Sequence, residues 1–303
     1  MAMGHHVRVL RPGDEPAVDT FLAAHADASL FLRRNLLVSG LVDGNGRYQG
    51  AWAGAFEDGR LVAVAQHTRF GSILVQAPLH AAAVVHEATR ASGRPVGGFI
   101  GPRAQTLVAR TALGFDSAPL RMESHEGLYV LQLDALVVPD LLTSGRAHAR
   151  PSTPADLDLL VRWRAEYRIE ANADDDGPAL LASSRDDVET SLAEGSGWVL
   201  EMEGAPVAYQ QFNAMLSDVV QVGGVWTPPP LRNRGYARAV VAGALRAVRA
   251  AGVHRSVLFT GETNLPARRS YAALGFTRVG EWALIFLRIP ARPLDRSTTC
   301  QQE

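Results

Sequence analysis

Two stretches of the chain repeat each other in order, and this constrains the fold more than any single motif. Trp52-Ala-Gly-Ala-Phe-Glu57 resembles Trp198-Val-Leu-Glu-Met-Glu203, and each runs through a small turn into Val-Ala, at Val62-Ala63 and Val207-Ala208. Gln66 and Gln211 follow, each four residues after its valine. Ala112-Leu-Gly114-Phe115 matches Ala273-Leu-Gly275-Phe276, and Arg11-Pro12 matches Arg150-Pro151. The offsets are 139 positions at the arginines, 146 at the tryptophans and 161 at the glycines, so the second copy gains 7 residues before its tryptophan and 15 after it. A chain of 303 residues accommodates two units of roughly 150 residues, each large enough to bury a core. The expected domains are 1–147 and 148–303, with Val137–His148 as the link.

Each copy reads as a helix, then strands, then a helix and a strand. In the second copy, Pro154-Ala-Asp156 signals a helix start before Leu157, Leu160, Val161 and Trp163. A second helix is expected over about Leu180 to Leu192. Trp198–Glu203 and Pro206–Asn213 flank the turn signal Glu203-Gly204-Ala205 and read as a hairpin. Val219–Trp226 is a third strand, ended by Pro228-Pro229-Pro230 because proline gives no ladder donor. Val240, Val241, Ala244, Leu245 and Val248 recur at helical spacing, with Gly252 closing that helix. Ser256–Thr260 is a strand, Pro266 opens a short helix closed by Gly275, and Glu281–Arg288 is the last strand.

Composition excludes chemistry. All 30 basic residues counted as Lys plus Arg are arginines, against 31 acidic residues. Without lysine there is no Schiff-base nucleophile, so pyridoxal enzymes are excluded, as are phosphate sites built on a P-loop or kinase lysine. The formal net charge of −1 gives no global field for nucleic acid or an anionic membrane. The single cysteine, Cys300, lies in the C-terminal tail, poorly placed for a nucleophile. No apolar run reaches the roughly 18 residues of a membrane helix, and no signal-peptide pattern is present. The expectation is a cytoplasmic protein, monomeric or homodimeric, without nucleic-acid, membrane or metal partners.

The segment with chemical potential is Val225-Trp226-Thr227-Pro-Pro-Pro-Leu-Arg232-Asn233-Arg234-Gly235-Tyr236-Ala237. A strand feeds a turn from which a helix starts. Backbone N–H groups at a helix start have no partners, and the helix dipole adds partial positive charge. Gly235 permits close backbone approach, and Arg232 and Arg234 add full charges. Together they form an anion cradle suited to a pyrophosphate.

Arg232-x-x-Gly235-x-Ala237, opening a helix after a strand, resembles the Gln/Arg-x-x-Gly-x-Gly/Ala signature of the GCN5-related N-acetyltransferases, the GNAT superfamily. Asn264-x-x-Ala267-x-x-x-Tyr271-x-x-x-Gly275-Phe276 resembles that family's second signature. The resemblance covers roughly Arg150 to Arg288, and the first copy resembles the fold only weakly. It implies an α/β fold of the mixed-sheet, α+β kind: two GNAT-like domains in tandem, each a mainly antiparallel central sheet flanked by helices, the N-terminal one degenerate, as in mycothiol synthase.

The resemblance also implies roles. Acetyl-CoA would be co-substrate. Val225, Trp226 and Thr227 would pair their backbone with the pantetheine arm, and the N–H groups of Arg232, Asn233, Arg234, Gly235, Tyr236 and Ala237 would hold the pyrophosphate. Asn264 would bond the pantetheine or cap its helix. Tyr271 would protonate the leaving thiolate or orient the thioester. Gly275 is a helix cap and Phe276 core. Some relatives place a glutamate base eleven positions before the first signature residue; here that position is Gln221, whose amide holds water or substrate but cannot act as a base. Glu166 and Glu170, four apart on one helix face, are the candidate bases, with Glu262 a weaker one and His254 expected at the surface. Asp174-Asp175-Asp176 would draw in a cationic amine or serve only as a solvated loop.

The first copy lacks the cradle: around Gln76-Ala77-Pro78-Leu79-His80 there is no Arg-x-x-Gly-x-Gly/Ala, and Arg110 stands where the second has Tyr271. It is expected to pack on the second copy and shape the acceptor pocket. The activity implied is acyl-CoA-dependent N-acyl transfer to a small-molecule or peptide amine, directly in a ternary complex, with the oxyanion held by N–H groups near Val225–Trp226. The alternatives are a non-catalytic acyl-CoA-binding regulator and an aminoacyl-transferring relative, which would need a basic surface for tRNA.

Overall fold

The computed structural model describes residues 5–293, so Cys300 lies outside the described residues. Contacts divide the chain into two compact units, the described parts of Met1–Glu126 with Glu281–Glu303, and Gly127–Gly280. The division expected at 147/148 therefore falls inside the second unit. The reason is topological: strands near the middle and the end of the chain each contribute to both units.

The first unit contains β1 (His5–Val9), α1 (Glu15–Ala24), α2 (Leu30–Ser39), β2 (Gly50–Glu57), β3 (Arg60–Thr68), β4 (Ser72–Gln76), α3 (Ala81–Ser92), β5 (Val96–Pro102), α4 (Arg103–Ala112) and the start of β6 (Leu120–Gln132). The second contains the rest of β6, α5 (Asp140–Thr143), β7 (Ala147–Pro151), α6 (Leu157–Asn172), α7 (Pro178–Glu194), β8 (Gly197–Met202), β9 (Ala205–Met215), β10 (Val219–Trp226), α8 (Tyr236–Ala250), β11 (Arg255–Gly261), α9 (Leu265–Ala272) and the start of β12 (Thr277–Ala291). The rest of β12 pairs antiparallel with β5 in the first unit, as in Leu284 with Ile100.

Both units have the same sheet. In the first, β1, β2, β3 and β4 are successively antiparallel and β4–β5 is parallel. In the second, β7, β8, β9 and β10 are successively antiparallel and β10–β11 is parallel. Each is thus a mixed, mostly antiparallel sheet flanked by helices. Each begins with a strand, not the helix expected: β1 and β7 are five-residue edge strands with little apolar alternation, His-His-Val-Arg-Val and Ala-His-Ala-Arg-Pro. Val137–His148, expected as a link, holds α5 and the start of β7.

The duplication extends to side-chain detail. Arg8 grips Asp14 bidentately at 2.7 and 2.8 Å, and Arg150 grips Asp156 at 2.8 and 2.9 Å. Each arginine is the fourth residue of its strand, so Arg8, not Arg11, is the counterpart of Arg150. Both hairpins turn on consecutive residues of positive φ, Asp58-Gly59 and Glu203-Gly204, whose twist matches that of paired strands. These turns align the copies at an offset of 145, one less than the tryptophan match. One residue in a strand reverses the face. Accordingly, Trp52 lies in the core with Leu22, Leu32 and Leu36 of α1 and α2, whereas Trp198 packs against the core containing α8. Gln66 and Gln211 keep their equivalence at this offset.

Each sheet has a core on both faces. In the second unit α8 buries Ala239, Val240, Val241, Ala242, Ala244, Leu245 and Val248 on one face. Leu160, Val161 and Trp163 of α6 and Val188 of α7 cover Val199, Tyr209 and Trp226 on the other. Each fully buried Val or Leu contributes about 1.5–3 kcal/mol, so these helices are fixed chiefly by packing. No described helix is long and apolar enough to cross a membrane.

Candidate active site

Strands β10 and β11 pair only through Val219–Arg255, Val220–Ser256 and Gln221–Val257. Beyond Gln221 the two strands part, and β10 continues to Trp226 along β9 alone, with register shifts after Gln221 and after Gly223. Gly224 takes φ +55°, the mark of a bulge. The result is a fork whose open arm is Val222–Trp226.

The cradle starts where the fork ends. Pro228 and the 3-10 turn Pro229–Leu231 stop the ladder, and Asn233 and Gly235 lie at φ +62° and +80°. Gly235 is the N-cap of α8. The N–H groups of residues 233–238 donate to no acceptor among the described residues. Arg234 is exposed beside them. At the arm itself, Trp226 Nε1 and Thr227 Oγ1 are buried without a hydrogen-bond partner. Buried polar groups are normally satisfied, so orphaned donors on a strand end beside a set of unpaired N–H groups fit a polar, phosphate-bearing chain such as coenzyme A.

Arg232 does not point into the cradle. Its Nε donates to the Thr227 carbonyl at 3.0 Å, its Nη2 to Glu170 at 2.9 Å, and its guanidinium lies 4.8 Å over the Trp226 ring. It clamps the cradle loop to α6 and spends its guanidinium on Thr227 and Glu170. Helix α6 therefore follows β10 through a stripe spaced i, i+3, i+6. Arg164 approaches Gly224, where a Cβ would come 3.2 Å from Nη1; Tyr167 stands edge-on to Trp226; and Glu170 meets Arg232.

This stripe revises the expectation for the glutamates. Glu170 is committed to Arg232, and Glu166 is exposed, with no hydrogen bond or ion pair among the described residues. The two do not converge on one group. Glu262 pairs with Arg278 at 2.6 Å and His254 is exposed. Asp174 is bound by Arg168 at 2.7 Å, leaving only Asp175 and Asp176 as solvated loop. Gln221 is 2 % exposed, and both ends of its amide lack a partner.

Asn264 accepts from Ala267 N–H at 3.2 Å and so caps α9, leaving its amide nitrogen for a ligand. Tyr271 is half-buried, edge-on to Phe276 with ring centroids 5.9 Å apart. Gly275 (φ +100°) closes α9 in a Schellman arrangement, with Gly275 N–H on Ala272 and Phe276 N–H on the Tyr271 carbonyl.

Sequence reasoning missed a polar chain beside the fork. Ser191 bonds Tyr209, the Tyr209 hydroxyl donates to Gln211 at 3.0 Å, and Gln211 donates to Asn213 at 3.1 Å. Burial pushes the Tyr209 phenol up, keeping it neutral. A Cβ on Gly223 would overlap the Asn213 amide. The signal was present: paired glycines inside a strand mark a bulge or a close approach.

In the first unit the corresponding parts are closed. The loop from β4 to α3 is only residues 77–80. The Ala77 N–H is filled by Gln105 Oε1 at 2.6 Å. The N-cap is His80, stacked on His5 and paired with Glu57 at 2.7 Å. Gly114 and Phe115 repeat the Gly275–Phe276 closure, with Arg110 in the place of Tyr271. Its guanidinium holds the Phe115 and Asp116 carbonyls and Glu123. Among the described residues, no group of three or more His, Cys, Asp or Glu could hold a metal.

Comparison with known proteins agrees with this geometry. The family model described as Acetyltransferase (GNAT) family matches residues 157–276. No curated protein matches the sequence. A GCN5-related N-acetyltransferase from Sphaerobacter thermophilus is similar in structure, with TM-score 0.59 and 17% identity over 96% of this chain and 98% of that one. A Drosophila protein superposes with TM-score 0.62 at 12% identity, covering 94% of this chain and 99% of its own. A tandem GNAT protein from the clavulanic acid biosynthesis pathway gives TM-score 0.55 at 14% identity, covering 96% and 100%. These likenesses establish a shared fold along the whole chain. The match to the acetyltransferase (GNAT) family is confined to residues 157–276, within the second unit.

Proposed function

We propose that the chain is an N-acyltransferase that uses acetyl-CoA and passes the acyl group straight to an amine within a ternary complex, with the second unit carrying the chemistry. One observation carries this reading: a fork in the sheet opens directly onto unpaired N–H groups at the start of α8. The N–H groups of Val225–Thr227 would pair with the pantetheine arm and hold the negative charge that develops on the thioester oxygen. Residues 233–237 would hold the pyrophosphate. The Asn264 amide nitrogen would bond the arm, and Tyr271 would protonate the departing thiolate. Coenzyme A supplies the thioester; the protein orients it, excludes water and manages protons. The first unit, with its Ala77 N–H taken by Gln105 and its cradle absent, would serve as scaffold.

The capture of Glu170 by Arg232 favours one second reading, a non-catalytic acyl-CoA-binding regulator. Release of free thiol from acetyl-CoA across a panel of amines separates the two. Amine-dependent release supports the enzyme; binding of coenzyme A with no amine accelerating release supports the regulator.

A further inference from the structure

Gln221 is 2 % exposed, neither end of its amide meets a protein partner, and it occupies the last paired position before β10 and β11 part. A buried amide with both ends unmatched holds water or ligand. It lies four residues before Val225, about 13 Å along an extended strand and less across the bulge at Gly224. A bridging water reaches only about 5–6 Å, so the acceptor together with ordered water is the natural filling of that span.

The carboxylates around the fork are spoken for. Glu170 is on Arg232, Asp187 on Arg164 and Arg168, Asp174 on Arg168, and Glu262 on Arg278. Arg234 is exposed at the cradle, Tyr209 is neutral, and Glu166 is exposed. Each of the four paired carboxylates is thus already neutralised by an arginine and is not free to draw in an alkylammonium ion or take its proton. A neutral amide accepts an N–H from an uncharged amine without needing a charge, and an amine that is neutral in solution needs no base before attack.

Building on the acyltransferase reading above, we infer that the acceptor is a weakly basic amine, taken up neutral and positioned by Gln221 through water, and that lysine side chains and polyamines are poor substrates at neutral pH. At pH 7 a peptide α-amino group, with a pKa near 8, is about 300-fold richer in neutral form than an alkylamine with a pKa of about 10.4.

The test is kcat/KM for thiol release at pH 7 with wild-type enzyme, comparing α-amino peptides and an aminosugar against N-acetylated lysine amides and spermidine. A preference of at least about tenfold for the weak bases is expected. Raising the pH from 7 to 9 should lift the alkylamine rate about tenfold per unit, following the neutral fraction. Gln221→Glu should narrow the gap by improving alkylamines. Equal or better turnover of alkylamines at pH 7 overturns the inference and leaves the acyltransferase reading standing; no turnover with any amine overturns both.

Discussion

Arg232 donates to the Glu170 carboxylate across 2.9 Å while its guanidinium covers the Trp226 ring at 4.8 Å. The motif arginine thus braces the cradle from behind. Arg232→Ala removes the stack, the bond to Thr227 and the ion pair at once. A half-exposed pair contributes under about 1 kcal/mol and a surface cation–π contact about 0.5–1 kcal/mol. Acetyl-CoA affinity should fall about 3- to 10-fold by calorimetry. Glu170→Gln should change it by less than about threefold, and retained turnover in that variant would remove Glu170 as a candidate base.

Tyr271→Phe keeps the ring against Phe276 and deletes only the hydroxyl. If that hydroxyl protonates the leaving thiolate, kcat should fall about 10²- to 10⁴-fold with acetyl-CoA affinity unchanged. Unchanged kcat removes the role.

The twin arginine–aspartate clamps differ in depth. The Asp156 side chain is 6 % exposed against 21 % for Asp14. Arg150→Ala strands a buried carboxylate and should destabilise the second unit by about 3 kcal/mol, more than Arg8→Ala destabilises the first. Urea unfolding of variants that keep only Trp52 or only Trp198 as tryptophan reads the two separately. Arg8 holds the Asp14 carboxyl down at about 2. That clamp is in force above the ordinary aspartate pKa near 3.9, is lost as pH falls toward 2, and this dependence should vanish in Arg8→Ala.

Glu126 has the opposite sign. Burial raises its carboxyl to about 7, so the folded chain holds that proton more tightly than the unfolded one. Stability is full below about pH 4.5 and declines as pH rises to 7, by up to roughly 3 kcal/mol. Glu126→Gln should flatten that decline and raise Tm at pH 8; an unchanged pH profile would contradict it.

Much of this was legible in the residues. Val219–Trp226 ends where Pro228 forbids a ladder, and Gly235 stands at positive φ where the cradle needs it. Gly275–Phe276 closes its helix as read. What was not legible depends on register or on distant partners. Trp52 and Trp198 look equivalent letter by letter, yet a one-residue slip sends them to opposite faces. Edge strands β1 and β7 escape pattern reading because their burial is too slight to impose alternation. Glu170 looked available as a base because its partner Arg232 lies 62 positions away. The exchange of chain segments between the units has no local signature.

The central claim is that the fork and cradle of the second unit receive the acyl-CoA. Gly235 is the sharpest probe, because a Cβ there meets nothing closer than 3.5 Å while the φ of +80° strains any substitution, Gly235→Val included. Left-handed backbone costs a β-branched residue about 1–2 kcal/mol and reorients the N–H groups. Titration of acetyl-CoA into the intact chain should show one site per chain, weakened at least tenfold in Gly235→Val and unchanged in Gln105→Ala of the first unit. Two sites, or a single site indifferent to Gly235→Val and weakened by Gln105→Ala, would contradict the account.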